Sequence, residues 1–395
     1  MINIQPISNI VGVLLIIVGS MQLLCIPFSH IDQYNDIHAL LYSGFTTIGV
    51  GFIFWLYKFK SSASITKKEG YLIVALGWLF MCIFSALPYK LSSLDISFAD
   101  SVFESVSGLT TTGATIFSDI ESLPKGLLMW RSLSQWIGGM GIIVLTIAIF
   151  PLLGIGGIEL FVAEAPGPTS DKIHPRIQET AKRLWLLYVG LTAFLFLILF
   201  ALGMTGFDAI NHALTTMATG GFSTKNSSIA YFTNPSIHYV LILFMFLAGT
   251  NYTVIYFGLR GKFKNVWASE EFRVYLFFML ALIFSVGLII HFNYAVPFEE
   301  AFRSAAFQMV SIVTTTGYVT ADYTTWGVGI TTLIFFLLFV GANAGSTSGG
   351  IKIIRHLVLL KNSLLEFKRL IHPRAMIRIK INKQLVDGKI ITHVL

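Results

Sequence analysis

The sequence predicts an all-α integral membrane protein, and three observations carry that prediction. Of its 395 residues, 55% are hydrophobic and 12% charged, a balance far from that of a water-soluble domain. Apolar runs of about 20 residues, enough to cross a hydrocarbon core, recur along the whole chain. Between them, three short amphipathic segments end on the same dipeptide: Thr110-Thr111-Thr112-Gly113, Met217-Ala218-Thr219-Gly220 and Thr314-Thr315-Thr316-Gly317. Their glycines are 107 and 97 residues apart, about the length of a two-span unit.

In chain order the expected spans are 7–27, 38–58, 70–89, 127–153, 181–204, 237–259, 272–292 and an interrupted 326–360. The first is preceded by no positive charge, so it lacks the basic region of a cleaved signal peptide and reads as a retained span. Eight spans with both termini inside place 22 of the 27 Lys and Arg residues in inner loops and the tail. Only Lys90, Lys125, Arg131, Lys225 and Arg303 then face outward. The acidic residues divide 9 inside and 11 outside, as expected when Lys and Arg set orientation. The net charge of +7 thus follows from topology, and no nucleic acid partner is implied. Cys25 and Cys82 sit in apolar spans and read as small buried hydrophobes rather than a disulfide or metal ligands. No metal-spaced cluster, nucleotide-binding glycine pattern or nucleophile–base constellation appears, which argues against an enzyme or a bound cofactor. Asn226-Ser227-Ser228 matches the glycosylation sequon, a short motif of little weight.

After two leading spans, the chain reads as repeated units of span, short helix, Thr-Gly turn and span. Segments 98–109, 207–216 and 297–313 are too short to cross a bilayer, and each begins near an acid: Asp100, Asp208, and Glu299 with Glu300. They are expected to dip in from outside and stop midway, which is tolerated only where backbone is buried in protein or lines a water-filled path. Aligned on their glycines, Phe103, Ile210 and Phe307 share one register. Each helix would aim its negative C-terminal end at the membrane centre, where it favours a cation. Thr carbonyls and hydroxyls can replace an ion's water shell, and Gly lets a carbonyl turn toward an axis. The candidate ion filter is therefore Thr111, Thr112, Gly113, Ala218, Thr219, Gly220, Thr315, Thr316 and Gly317. No acid lies in the turns, which favours an easily dehydrated monovalent ion over a divalent one. A single Thr-Gly pair would indicate only close helix packing; three in register point to a cation path.

The last span is broken. Residues 326–340 supply about 15 helical residues, roughly 22 Å, before Gly341, Ala342, Asn343, Ala344, Gly345, Ser346, Thr347, Ser348, Gly349 and Gly350 intervene. Such a run does not hold a helix within a span. It reads as a flexible gate below the turns, or else as a plain connector.

These residues resemble the Trk/Ktr/HKT superfamily of potassium transporters, specifically its Trk-type membrane subunit. The likeness covers nearly the whole chain: 108–115 around the first turn, Gln135-Trp136-Ile137-Gly138-Gly139-Met140-Gly141, Ala163-Glu164-Ala165-Pro166-Gly167-Pro168, 218–223, 314–318 and 344–352. It implies a potassium-channel-like fold of span–pore helix–filter–span repeats with two extra N-terminal spans, in the cytoplasmic membrane. It further implies potassium as substrate at the filter, a homodimer whose protomers each hold a pore, and a cytoplasmic nucleotide-binding (TrkA-like) regulatory subunit. The expected organisation is leading spans at 1–69, pore repeats at 70–180, 181–265 and 266–360, and a basic link at 361–395. By the same spacing a fourth turn falls beyond Leu395, and the tail around His372-Pro373-Arg374 and Val386-Asp387-Gly388 resembles a link toward it. The chain is therefore expected to be a truncated or fragmentary form. Alternatives are a sodium-permeable or sodium-coupled relative, and a non-conducting truncated subunit. An alternating-access carrier would need inverted repeats, whereas these units all run the same way.

Several other residues call for a role. Glu104 and Arg303, charges inside short helices, either tune the filter's field or pair with neighbours to brace the helices. Asn251 and His212 read as interhelical hydrogen-bonding groups. Lys352 and Arg355 are placed to contact the gate loop or to act as inner anchors. Trp130, Trp136 and Trp326 read as interfacial belt residues.

Overall fold

The computed structural model describes residues 4–29, 36–57, 67–139, 141, 177–371, 380–382 and 384–385. It divides into two compact units, one of residues 1–166 with 173–231 and one of 167–172 with 232–395. The far half of the expected fourth span, the 163–168 run, and the tail motifs at 372–374 and 386–388 lie outside the described residues.

In the first unit, helix Ile4–Leu24 packs on Ile37–Leu56 through facing glycines. A Cβ on Gly12 would stand 2.5 Å from the Gly51 carbonyl, and one on Gly51 would stand 2.7 Å from that of Gly12. The two backbones approach as small-residue crossings in membranes do. Two polar side chains of the first helix bond to backbone of its neighbours: Ser8 Oγ donates to Phe54 O at 2.9 Å, and Gln22 Nε2 to Phe84 O at 3.1 Å. Helix Lys67–Ser85 follows, then the first short helix, Phe98–Leu109, opened by a reciprocal Ser97–Asp100 capping box. Helix Lys125–Gly139, span Ile177–Ala201 and the second short helix, Gly206–Met217, follow in chain order. Thr205 caps the last of these by accepting from Asp208 N. The core gathers Ile10, Leu15, Leu40, Ile73, Tyr89 and Trp130. Trp130 is not the belt residue expected, because it is fully buried with its indole N–H on Ser85 O at 3.1 Å. Cys25 and Cys82 are buried free thiols, as expected.

The second unit holds Pro235–Ala248, Tyr252–Leu259, Glu270–Tyr294, the third short helix Phe298–Val313, Val328–Leu337 and Ile353–Ile371. A two-stranded antiparallel ladder pairs Lys380 with Leu385. The expected continuous span 237–259 is instead two helices bent by 113°. In an unbroken helix the Tyr252 N–H would go to Ala248 O; here it goes to Gly345 O at 3.1 Å, while Ala248 O accepts from Thr347 N at 3.3 Å. Asn251 then caps the new helix, accepting from Thr253 N at 2.8 Å. Among the described residues, five helices are long and apolar enough to cross a membrane, or six with the bent pair counted as one span. The helical part of the expected eighth span is shorter than anticipated, 10 residues from Val328 to Leu337, or about 15 Å.

Candidate functional site

All three short helices end in the same backbone pattern. The N–H groups of Thr110, Ala218 and Thr314 continue the helical ladder to Val106, Leu214 and Val310. Two residues on, those of Thr112, Gly220 and Thr316 reach back to Ser107, Thr215 and Ser311 at 2.9, 2.9 and 2.8 Å. Between them Thr111, Thr219 and Thr315 take left-handed φ values of 55°, 52° and 55°. That conformation costs a non-glycine residue roughly 1–2 kcal/mol, and its recurrence three times marks the turn as a built feature.

This backbone shifts the second turn by one residue. The glycines at positive φ are Gly113 (77°), Gly221 (75°) and Gly317 (82°), so Gly221 rather than Gly220 is the counterpart of the other two. Gly220 instead corresponds to Thr112 and Thr316, and Ala218 to Thr110 and Thr314. Asn211, not Ile210, accordingly aligns with Phe103 and Phe307. A glycine pair at 220–221 leaves the register open when turns are aligned on glycine alone. The helix starts carried the missing signal: Ser97 with Asp100 and Thr205 with Asp208 lie 108 residues apart, the offset the backbone adopts.

With the corrected register, Glu104, His212 and Gln308 occupy one helical position, and each ties its helix to the segment after its own turn. Glu104 accepts from Thr115 Oγ1 and Ile116 N, all at 3.1 Å. His212 Nε2 meets Ser223 Oγ at 3.0 Å, and Gln308 Nε2 donates to Ala321 O at 3.1 Å. Glu104 also forms a buried ion pair with Arg131 at 2.7 Å, and the guanidinium lies 4.1 Å from the Phe222 ring centroid. Arg303 pairs with Glu299 at 2.8 Å and with His238 Nδ1 at 3.0 Å. Both charges therefore brace short helices. The segments after the first two turns are joined by Asn226, which donates to Asp119 Oδ1 at 2.9 Å and accepts from Ile120 N at 2.7 Å. That amide holds the Asp119 carboxyl below its ordinary range. Asn226 stood out in the sequence only as part of a sequon.

In the second unit the Gly341–Gly350 segment is closed at its base, Gly341 N donating to Ile351 O at 2.9 Å and Ile351 N to Phe339 O at 3.1 Å. Its body is fastened to the helix bend: Asn343 N donates to Gly249 O at 3.0 Å, and Asn251 Nδ2 to Ala344 O at 2.7 Å. Buried Glu271, which the sequence reading passed over, accepts from Ala344 N at 2.7 Å. At the far end Gly349 N donates to Thr315 Oγ1 at 2.7 Å, joining the segment to the left-handed threonine of the third turn. Lys352 donates to the carbonyl and hydroxyl of Ser348. Arg355 makes a local backbone bond to Lys352 O. The loop is thus a strapped element, spanning from the bend to the turn.

The TrkH family model, described as "Cation transport protein", matches residues 37–394. The chain belongs to the TrkH family. It is similar to the Trk system potassium uptake protein TrkH of Salmonella typhimurium, with 39% identity over 394 residues covering 99% of this chain and 82% of that protein. The TrkG protein of the Trk potassium uptake system of Escherichia coli is 37% identical over 346 residues, covering 86% and 71%. Among solved structures, the potassium transporter TrkH from Vibrio parahaemolyticus superposes with a TM-score of 0.84 at 34% identity, covering all of this chain and 82% of that one. Membership accounts for the helical membrane architecture: this TrkH-family chain is a multi-pass transport protein, and the strapped loop and repeated turns are built on that frame.

Proposed function

We propose that this TrkH-family chain carries potassium into the cell across the cytoplasmic membrane, the three Thr-Gly turns supplying filter oxygens and the Gly341–Gly350 loop acting as gate. The observation that carries this reading is the threefold recurrence of one strained turn at the C-terminal end of a short helix. Each turn is a Schellman-type helix end with Thr rather than Gly in the left-handed position and a second left-handed residue, a Gly, two residues on. The pair turns successive carbonyls away from the helix axis. The filter set is Thr111, Thr112 and Gly113; Thr219, Gly220 and Gly221, with Ala218 as helix cap; and Thr315, Thr316 and Gly317. The Gly349–Thr315 hydrogen bond supports the gate reading, because it makes the loop's position and the third turn's side chain mutually dependent. The chain works with both termini inside, as a homodimer bound by a cytoplasmic nucleotide-binding subunit.

The test is growth and rubidium or potassium uptake in cells stripped of their own potassium uptake systems. Expression should restore growth at low potassium, and Gly113→Ser or Gly317→Ser should reduce that rescue. Equal rescue by wild type and both variants would overturn the filter assignment.

A further inference from the structure

The second turn lacks the side chains that stiffen the other two. In the first, Thr110 Oγ1 donates to Val106 O at 2.7 Å and lies 2.8 Å from Thr112 Oγ1. In the third, Thr314 Oγ1 donates to Val310 O at 2.7 Å and lies 2.8 Å from Thr316 Oγ1. Each pair of hydroxyls bridges across the left-handed threonine between them. The corresponding residues of the second turn are Ala218 and Gly220, which carry no hydroxyl. Gly220 and Gly221 together also make this the most conformationally free of the three turns.

Another side chain fills the gap. From helix Lys125–Gly139, fully buried Gln135 donates through Nε2 to Gly220 O at 2.7 Å and accepts through Oε1 from Phe222 N at 3.1 Å. Its amide thus spans Gly221, grasping the backbone on either side. A Cβ on Gly220 would overlap the Gln135 amide, so a threonine there and this glutamine exclude one another. A Cβ on Gly113 would in turn overlap the Gly220 carbonyl, so the grasped peptide is packed directly against the first turn.

We propose that Gln135 is a specificity-determining positioning residue, its amide imposing on the second turn the conformation that hydroxyl pairs impose on the first and third. The proposal rests on the filter reading above. An ion site discriminates by the number and placement of its oxygens, and a Gly-Gly peptide without an external hold does not keep them placed.

The test titrates potassium and sodium separately into the purified full chain in choline buffer and takes apparent affinities from thermal stabilisation. Gln135→Met keeps side-chain length and removes both hydrogen bonds. The potassium-to-sodium affinity ratio should fall about tenfold, the scale of one to two lost bonds. Gln135→Glu, which retains the acceptor for Phe222 N, should give a lower ratio than wild type and serves if the Met variant does not fold. Gln135→Ala combined with Ala218→Ser and Gly220→Ser rebuilds the hydroxyl pair and should return the ratio to within about threefold of wild type. A ratio that stays low in that folded triple variant would overturn the proposed equivalence. Gly317→Ser separates the two readings. If it shifts the ratio while Gln135→Met and Gln135→Glu do not, the role of Gln135 fails alone; if none of the three shifts it, the filter reading itself fails.

Discussion

Gly317 is the residue at which the turn chemistry is most cleanly separated from packing. A Cβ there would meet nothing within 4 Å, yet the backbone sits at φ 82°. Gly317→Ser therefore places its Cβ without a clash and acts chiefly through conformation, at a local cost of roughly 1–2 kcal/mol. It should lower the potassium-to-sodium permeability ratio in reconstituted vesicles with little change in expression; an unchanged ratio would count against a filter at this turn. Thr315 offers a second test, because its hydroxyl accepts the Gly349 N–H. Thr315→Val keeps the β-branched shape and removes the acceptor, so basal flux without any regulatory partner should rise severalfold in a vesicle flux assay. No rise would return the loop to a plain connector. The residue scale is also where sequence reading lost accuracy. Thr219 and Thr315 were visible as filter candidates, but nothing in composition announces that a threonine takes the left-handed region. Gly221 was hidden by the glycine beside it, and Gln135 by 85 residues of separation from the carbonyl it holds.

Between elements, the first short helix depends on one buried pair. Glu104 and Arg131 are 0% and 1% exposed, and leaving either charge alone in such surroundings costs about 3–5 kcal/mol. Arg131→Met should lower the thermal midpoint of the detergent-solubilised chain markedly. Adding Glu104→Met should recover part of the loss, since no charge is then stranded, but not the bonds to Thr115 and Ile116. A double variant no more stable than Arg131→Met would show that the pair is not what braces this helix. The short helices themselves were legible to within a residue or two, because cap, acidic first turn and amphipathic spacing all agree locally. The 113° bend between Ala248 and Tyr252 was not. Residues 237–259 are apolar throughout, and the groups that take the helix's hydrogen bonds come from Gly345 and Thr347, almost 100 residues away. In the sequence Asn251 reads as an interhelical hydrogen-bonding group, whereas in the structure it caps the second half of the bend and donates to the loop at Ala344 O.

For the whole molecule, the Lys and Arg distribution makes a claim that labelling can decide. With both termini inside, the segment after the first turn faces out and the Arg260–Lys264 segment faces in, because 22 of 27 basic residues then lie on the inner side. Cys25 and Cys82 are the chain's two cysteines, and both are buried, so replacing them by alanine gives a background in which one new thiol reports one position. Glu121→Cys in intact cells should react with a membrane-impermeant maleimide. Lys264→Cys should react only after the membrane is permeabilised. The two sites lie on different units and in different repeats, so their labels test the orientation of the first and second repeats separately. Opposite outcomes at both would invert the molecule, putting the short helices' C-terminal ends and the loop in the wrong order for an inward path with an inner gate. The same label on both would break the parallel orientation of the repeats, on which the proposal of one filter assembled from equivalent turns depends.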